Sequence, residues 1–335
     1  MTKLGEIDQL ANAVASGDRR ALARAITLIE STKPADQAKA EQVLTALLPR
    51  SGGSLRLGIS GAPGAGKSTF IEAFGTYLTG QGMKVAVLAI DPSSRRSGGS
   101  ILGDKTRMEK LSRDPNAFIR PSPAGTTLGG VARRTRETML LAEAAGFDVV
   151  IVETVGVGQS ETAVADMTDL FVLLQSPGGG DDLQGIKRGV MELADILVVT
   201  KADGDLIPAA NRAVADYRMA LHLIRPKHEG MPAKVLAVSS LEGEGIAESW
   251  QAMRLFHNSL AKDGRIERLR ADQSRRWFWS EMQTILNEEL LAHHALRQDV
   301  NKLEVSVISG KSLPYAAART LFRRILKVDA DNTTH

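Results

Sequence analysis

Leu55-Arg56-Leu57-Gly58-Ile59-Ser60-Gly61-Ala62-Pro63-Gly64-Ala65-Gly66-Lys67-Ser68 passes from an apolar run directly into the spacing G-x-x-x-x-G-K-S. A buried strand, a glycine-rich turn and a helix start form the setting in which that spacing binds the phosphates of a nucleoside triphosphate. The glycines let backbone N–H groups turn inward, and a helix beginning near Lys67 adds the positive end of its dipole. Lys67 reaches the β- and γ-phosphates, and Ser68 is placed to hold Mg²⁺. Gly61, Ala62, Pro63, Gly64, Ala65, Gly66, Lys67, Ser68 and Thr69 are therefore the candidate phosphate-binding residues.

Outward from this stretch, short β-branched runs alternate with helical patterns over residues 54–262. The runs are Leu55–Ser60, Lys84–Ile90, Ala117–Arg120, Asp148–Glu153, Asp169–Gln175, Asp195–Thr200 and Lys234–Ser239. Most are nearly continuous in apolar character, which fits strands covered on both faces of a parallel sheet. Helical stretches such as Leu128–Ala145 and Leu206–Leu223 separate them. The expected fold is a doubly wound α/β domain with a mostly parallel sheet, and its ligands belong at the carboxyl ends of the strands.

Those ends carry acids. Asp91 follows the run ending at Ile90, and Glu153 follows Val149-Val150-Ile151-Val152. A carboxylate ending a buried strand opposite a phosphate loop can anchor Mg²⁺. Thr200-Lys201-Ala202-Asp203 follows Ile196-Leu197-Val198-Val199 and is similar to the guanine-reading Asn-Lys-x-Asp of GTPases, with Thr in the Asn position. Asp203 can accept hydrogen bonds from guanine N1–H and N2–H₂, a donor pair that adenine lacks. The aliphatic stem of Lys201 can cover the base. Replacing Asn by Thr is expected to lose the amide that ties this loop to the phosphate loop. Ser239-Ser240-Leu241 stands where a further GTPase motif offers a backbone N–H to the base carbonyl.

Taken together, Gly61–Ser68, Asp91-Pro92-Ser93-Ser94, the stretch Ser97–Met108, Glu153-Thr154-Val155-Gly156-Val157-Gly158-Gln159-Ser160-Glu161 and Thr200-Lys201-Ala202-Asp203 resemble the methylmalonyl-CoA mutase-associated GTPases of the MeaB/ArgK type. The resemblance spans about residues 5 to 325. It implies a homodimeric, Mg²⁺-dependent enzyme that hydrolyses GTP to GDP. It also implies attendance on an adenosylcobalamin-dependent methylmalonyl-CoA mutase, gating cofactor delivery and protecting the mutase from inactivation. Asp91 and Asp104 fall in the first switch region of that pattern, so the implied catalytic set is Lys67, Asp91, Asp104 and Glu153. The implied metal set is Ser68, Asp91, Asp104 and Glu153. The loop Ser176–Lys187, with three successive glycines, Asp181 and Asp182, becomes a third switch that contacts the partner.

Flanking the central zone, residues 1–53 read as a helical extension, with Asp18 placed to cap a second helix and Pro34 near the start of a third. Residues 263–335 read as helical: Arg265 to Leu296, then a helix opened by Ser312-Leu313-Pro314 that reaches Leu326. Trp277, Phe278 and Trp279 there lack an evident domain core, which suggests docking against another chain, in keeping with a dimerisation arm.

Composition excludes several classes. The chain has no cysteine, which removes disulfides, thiolate metal sites and thiol catalysis. Its 42 Lys+Arg against 39 Asp+Glu leave a formal charge of +3 over 335 residues, so charge gives no support to nucleic-acid or membrane binding. No stretch approaches the length of an apolar membrane span and the start lacks a signal-peptide core, which leads to the expectation of a cytoplasmic protein. Alternatives from other classes are a metallochaperone GTPase, which would normally show a Cys- or His-based metal motif, and a P-loop kinase acting on a small molecule or protein.

Overall fold

The computed structural model describes residues 5–90, 108–121, 128–154, 160–177, 188–292 and 294–332. Asp91, Asp104, Asp181, Asp182 and Lys187 lie outside the described residues. The chain divides into two compact units, Met1–Arg270 and Ala271–His335.

The first unit holds one seven-stranded sheet in the order β3-β2-β4-β1-β5-β6-β7, with every described pairing parallel. The strands are β1 (Leu55–Gly61), β2 (Val85–Ile90), β3 (Ala117–Arg120), β4 (Val149–Thr154), β5 (Leu170–Gln175), β6 (Ile196–Val199) and β7 (Lys234–Ala237). All seven apolar runs of the sequence are therefore strands. β2, β4, β5 and β6 are buried at every position, the signature of a sheet covered on both faces.

Alternation along those strands feeds two cores. Val150 and Val152 face one side, with α2 (Arg19–Glu30), α3 (Pro34–Leu47), α6 (Leu128–Ala144) and α9 (Ile207–His222). Val149 and Ile151 face the other, with α4 (Lys67–Gly80) and α10 (Ile246–Lys262). Phe70 stacks on Phe74 at 5.4 Å between ring centroids, and Phe74 meets Trp250 edge-on at 6.1 Å, joining α4 to α10. Burying each such large apolar side chain is worth about 1.5–3 kcal/mol.

The amino-terminal helices, beginning with α1 (Glu6–Ala15), share the first core with the sheet. Asp18 caps α2, accepting hydrogen bonds from the N–H groups of Arg20 and Ala21. The bonds from Ala21 and then Arg20 hold its carboxyl below the usual carboxylate range. Pro34 occupies the first turn of α3, where its missing N–H costs nothing.

An aspartate stands immediately before three of the strands, and each binds the backbone N–H at or beside the start of a neighbouring strand. Asp148 accepts from Lys84 N at 2.7 Å, Asp169 from Arg56 N at 2.9 Å and Asp195 from Phe171 N at 2.8 Å. Asp169, fully buried, also takes Arg270 Nε at 2.8 Å and an Arg270 terminal nitrogen at 2.7 Å. Burial works against the charge of Arg270, but its hydrogen bond to Asp169 and the surrounding carboxylates outweigh burial and raise its pKa. Arg56 pairs with the buried Glu143 through two bonds of 2.7 and 2.8 Å.

The second unit contains most of α11 (Arg265–Ala292), which begins in the first, together with α12 (His294–Ile308) and α13 (Pro314–Asn332). The sequence pattern ran one helix from Arg265 to Leu296. The structure describes helix over Arg265–Ala292 and again over His294–Ile308, so helix extends beyond Leu296 into a stretch that pattern left unassigned. Leu296, Val300, Leu303 and Val307 carry its helical spacing. The final helix continues past Leu326 to Asn332. α12 packs on α13, where Arg324 meets Asp299 at 2.6 Å.

Replacing Asp169 by alanine strands the buried guanidinium of Arg270 and removes the acceptor for Arg56 N. The expected loss is about 3–5 kcal/mol of folding stability, read from denaturant unfolding. A loss below about 1 kcal/mol would show that the cluster carries little of the fold's stability.

Candidate nucleotide site

β1 lies at the sheet's switch point, with β4 on one side and β5 on the other, so the turn after Gly61 opens at the carboxyl ends of three strands. Gly61 is required by close approach: a Cβ there would stand 2.4 Å from the Leu174 carbonyl oxygen of β5. Gly64 and Gly66 both adopt φ +81°, a left-handed conformation that suits glycine. Gly66 is the N-cap of α4, and helix geometry leaves the N–H groups of Lys67, Ser68 and Thr69 without intrahelical acceptors. Those donors point where an anion would sit.

Lys67 Nζ donates to the carbonyls of Gly61 at 2.7 Å and Ala62 at 3.2 Å. Burial pushes its pKa below the ordinary lysine value, and the carboxylates of Glu153 and Glu161 oppose that shift. Glu153, in β4, is 3% exposed and sits beside Ile59 of β1 in the pairing register. Next to it, Thr154 and Ser60 share a hydrogen bond of 2.8 Å between hydroxyls, tying the ends of β4 and β1 together. The structure thus brings Lys67, Ser68 and Glu153 to one end of the sheet. Asp91 and Asp104, the other expected metal ligands, lie outside the described residues.

The loop Thr200–Asp203 corrects one expectation. Thr200 does not forfeit the link to the phosphate loop: its buried hydroxyl lies 2.7 Å from the Ala65 carbonyl and 3.0 Å from that of Gln175, as donor. A hydroxyl replaces the amide because Ala65 presents an acceptor, which a hydroxyl proton can reach as well as an N–H. Lys201 has φ +53°, the one positive value among the described non-glycine residues. Holding a side-chain-bearing residue there costs of order 1–3 kcal/mol, the kind of strain that collects at ligand sites.

Asp203 is oriented by Ser239, whose hydroxyl donates to Asp203 Oδ2 at 2.7 Å. The N–H of Ser239 is committed to the Glu244 carbonyl at 3.0 Å. The donor expected for a base carbonyl thus moves to Ser240 or Leu241. Ala202 N bonds to Val238 O at 3.1 Å and holds the two loops side by side. Sequence reasoning assigned no role to the side chains of Ser239 and Ser60; their partners lie 36 and 94 residues away along the chain.

Comparison with known proteins follows the same lines. Residues 22–295 match the family model for the methylmalonyl Co-A mutase-associated GTPase MeaB. A putative GTPase of Caulobacter vibrioides is 53% identical over 94% of this chain and 97% of its own length. The mitochondrial methylmalonic aciduria type A homolog of Mus musculus is 48% identical over 95% of this chain and 79% of its own. The crystal structure of LAO/AO transport system kinase superposes with a TM-score of 0.77 at 40% identity, covering 97% of this chain and all of that one.

Two substitutions test the site. Thr200→Val keeps the shape, leaves the Ala65 carbonyl without its donor and is expected to cost about 1–3 kcal/mol of stability while weakening GTP binding. Asp203→Asn presents a donor where Asp203 accepted and should shift preference from GTP toward xanthosine triphosphate. Titration of both triphosphates against the variant reads the switch, and an unchanged GTP preference removes Asp203 from base recognition.

Proposed function

The chain belongs to the methylmalonyl-CoA mutase-associated GTPase family MeaB and is a GTPase; we propose that it serves as a chaperone to an adenosylcobalamin-dependent methylmalonyl-CoA mutase. In this reading it binds the mutase, gates delivery of the cofactor and protects the mutase from inactivation, in the cytoplasm and as a homodimer. Lys67 and buried Glu153 at the carboxyl ends of β1 and β4, with the Asp203–Ser239 pair in the loops after β6 and β7, carry the nucleotide half of the reading. The family's name, which ties its members to the mutase, supports the other half.

The residues present suit GTP and Mg²⁺. Ser68 and Glu153 offer hard oxygen donors, the kind Mg²⁺ takes, and Asp91 and Asp104 add two more in the sequence. The chemistry a metal ion held by these residues would supply is positive charge beside the phosphates, where negative charge develops during hydrolysis. Lys67 would turn from the Gly61 and Ala62 carbonyls to the phosphates, while the first amides of α4 cradle them. Asp91 or Asp104 would orient the attacking water. Asp203, held by Ser239, would accept from guanine N1–H and N2–H₂, with Lys201 covering the base and Thr200 keeping that loop on the phosphate loop.

For the homodimer, the support is the outer face of α11 in the second unit. Phe278, Trp279, Met282, Ile285 and Leu286 are all exposed, at helical spacing. A contiguous apolar stripe of that kind is a docking face, and a second copy buries it symmetrically.

Steady-state GTP hydrolysis with and without the mutase tests the partner. Acceleration by the mutase is expected, with ATP turned over far more slowly, and Asp182→Ala with Lys187→Ala should remove much of the acceleration while sparing the basal rate. A rate indifferent to the mutase refutes the reading. Sedimentation of the full-length Trp279→Glu, Ile285→Glu variant should show monomers where the unaltered chain shows dimers.

A further inference from the structure

Glu72, half-buried on α4, has no part in the functions above, yet it caps the helix that follows residues 91–107. That helix, α5 (Glu109–Arg113), has Met108 as its N-cap, and Met108 brings no side-chain cap of its own. The cap comes from α4 instead. Glu72 Oε1 accepts from Lys110 N at 2.7 Å, and Glu72 Oε2 lies 3.3 Å from Leu111 N as acceptor. Packing holds the same place. Met108 and Leu111 are fully buried in the second core, and a Cβ on Gly75 of α4 would stand 2.5 Å from a Leu111 methyl carbon, so glycine is what lets α5 lie so close.

Ser68, Glu72 and Gly75 stand at i, i+4 and i+7, so they form one stripe along α4. Ser68 heads the stripe at its phosphate end, and the helical rise puts Glu72 about 6 Å further along the axis. The side chain that seats α5 thus shares a helix and a face with the hydroxyl proposed for the metal. Asp104 precedes Met108 by four residues and Lys110 by six. Four residues of chain span at most about 14 Å, so the place where Met108 is buried sets the reach of Asp104.

We propose that Glu72 is a positioning residue for GTP hydrolysis: by capping α5 it fixes the chain just after Asp104 onto the phosphate-binding helix, which keeps Asp104 within reach of the reacting phosphate. The proposal rests on the reading in which Asp104 acts in hydrolysis. Loss of the cap should therefore slow the chemical step and spare nucleotide binding. General damage to α4, which carries Lys67, would weaken binding as well.

Single-turnover GTP hydrolysis at saturating Mg²⁺ and the affinity for fluorescent N-methylanthraniloyl GDP in EDTA, both on the full chain, test it. Glu72→Ala should slow hydrolysis about tenfold and leave the EDTA affinity unchanged, while Glu72→Gln, whose side-chain oxygen still accepts from the N–H groups, should keep most of the rate. Gly75→Ala, which crowds Leu111 without touching Glu72, should slow hydrolysis in the same selective way. In an Asp104→Ala background, adding Glu72→Ala should change the rate less than about twofold, because the residue it positions is gone. An unchanged rate for Glu72→Ala, equal losses of rate and EDTA affinity, or a slowing that multiplies with that of Asp104→Ala overturns the proposal. Asp104→Ala separates the two claims: a rate indifferent to it removes Asp104 from the reaction, and the positioning role with it, whatever Glu72 does.

Discussion

A turn that is to receive a polyanion must keep most of its N–H groups unbonded, so its own amides cannot do much to hold its shape. In the turn from Gly61 to Lys67 the Ala65 amide bonds inward to the Ala62 carbonyl at 3.1 Å, and the other restraints fall on carbonyls and on a neighbouring strand. Thr200 holds the Ala65 carbonyl, Lys67 holds those of Gly61 and Ala62, and Leu174 of β5 packs so closely that only glycine fits at Gly61. The bonds from Thr200 and Lys67 use carbonyls and spare the amides. The donors that matter for an anion stay available because the acceptors of the same turn are the atoms that are tied down.

The opposite end of the sheet has a different problem, the placement of charge in a protein interior. Arg56, Glu143, Asp169 and Arg270 are buried or nearly so, and each is matched by an opposite charge or by backbone groups. Arg270 also donates to the Gly52 and Ser54 carbonyls, so the segment entering β1 is held where the strand begins. Pairs of this kind add little net stability over an apolar packing, yet losing one partner is expensive. Their use here is to fix register. An aspartate before β4, β5 and β6 binds the amide of a neighbouring strand's start, and in a parallel sheet a slip of one residue would break every such bond at once.

What the sequence made readable follows from how local each signal is. Strands buried on both faces announce themselves as continuous apolar runs, so all seven were legible, as were Asp18 as a cap and Pro34 in a first turn. The phosphate turn was legible because its function demands glycines at fixed spacing. The helix beyond Leu296 was not, since no proline or capping residue sets it off from what precedes it. Nor were the contacts of Thr200, Ser239 and Ser60, whose partners stand far away along the chain. A hydroxyl beside a strand end has no pattern that says which carbonyl it will meet.

Thr200 shows how far such a contact can reach. One proton lies within range of two carbonyls, Ala65 in the phosphate turn and Gln175 at the end of β5, and it can serve only one of them at full strength. The N–H of Thr200 bonds to Gln175 as well, at 2.8 Å, so β5 keeps an anchor whichever carbonyl the hydroxyl favours. An asparagine amide in the same position brings two protons and has no such choice to make. With threonine, strengthening the bond to Ala65 weakens the one to Gln175. The Thr200–Asp203 loop, the phosphate turn and the end of β5 therefore share a single hydrogen. Any displacement of the Ala65 carbonyl would change how that hydrogen is divided between the turn and β5.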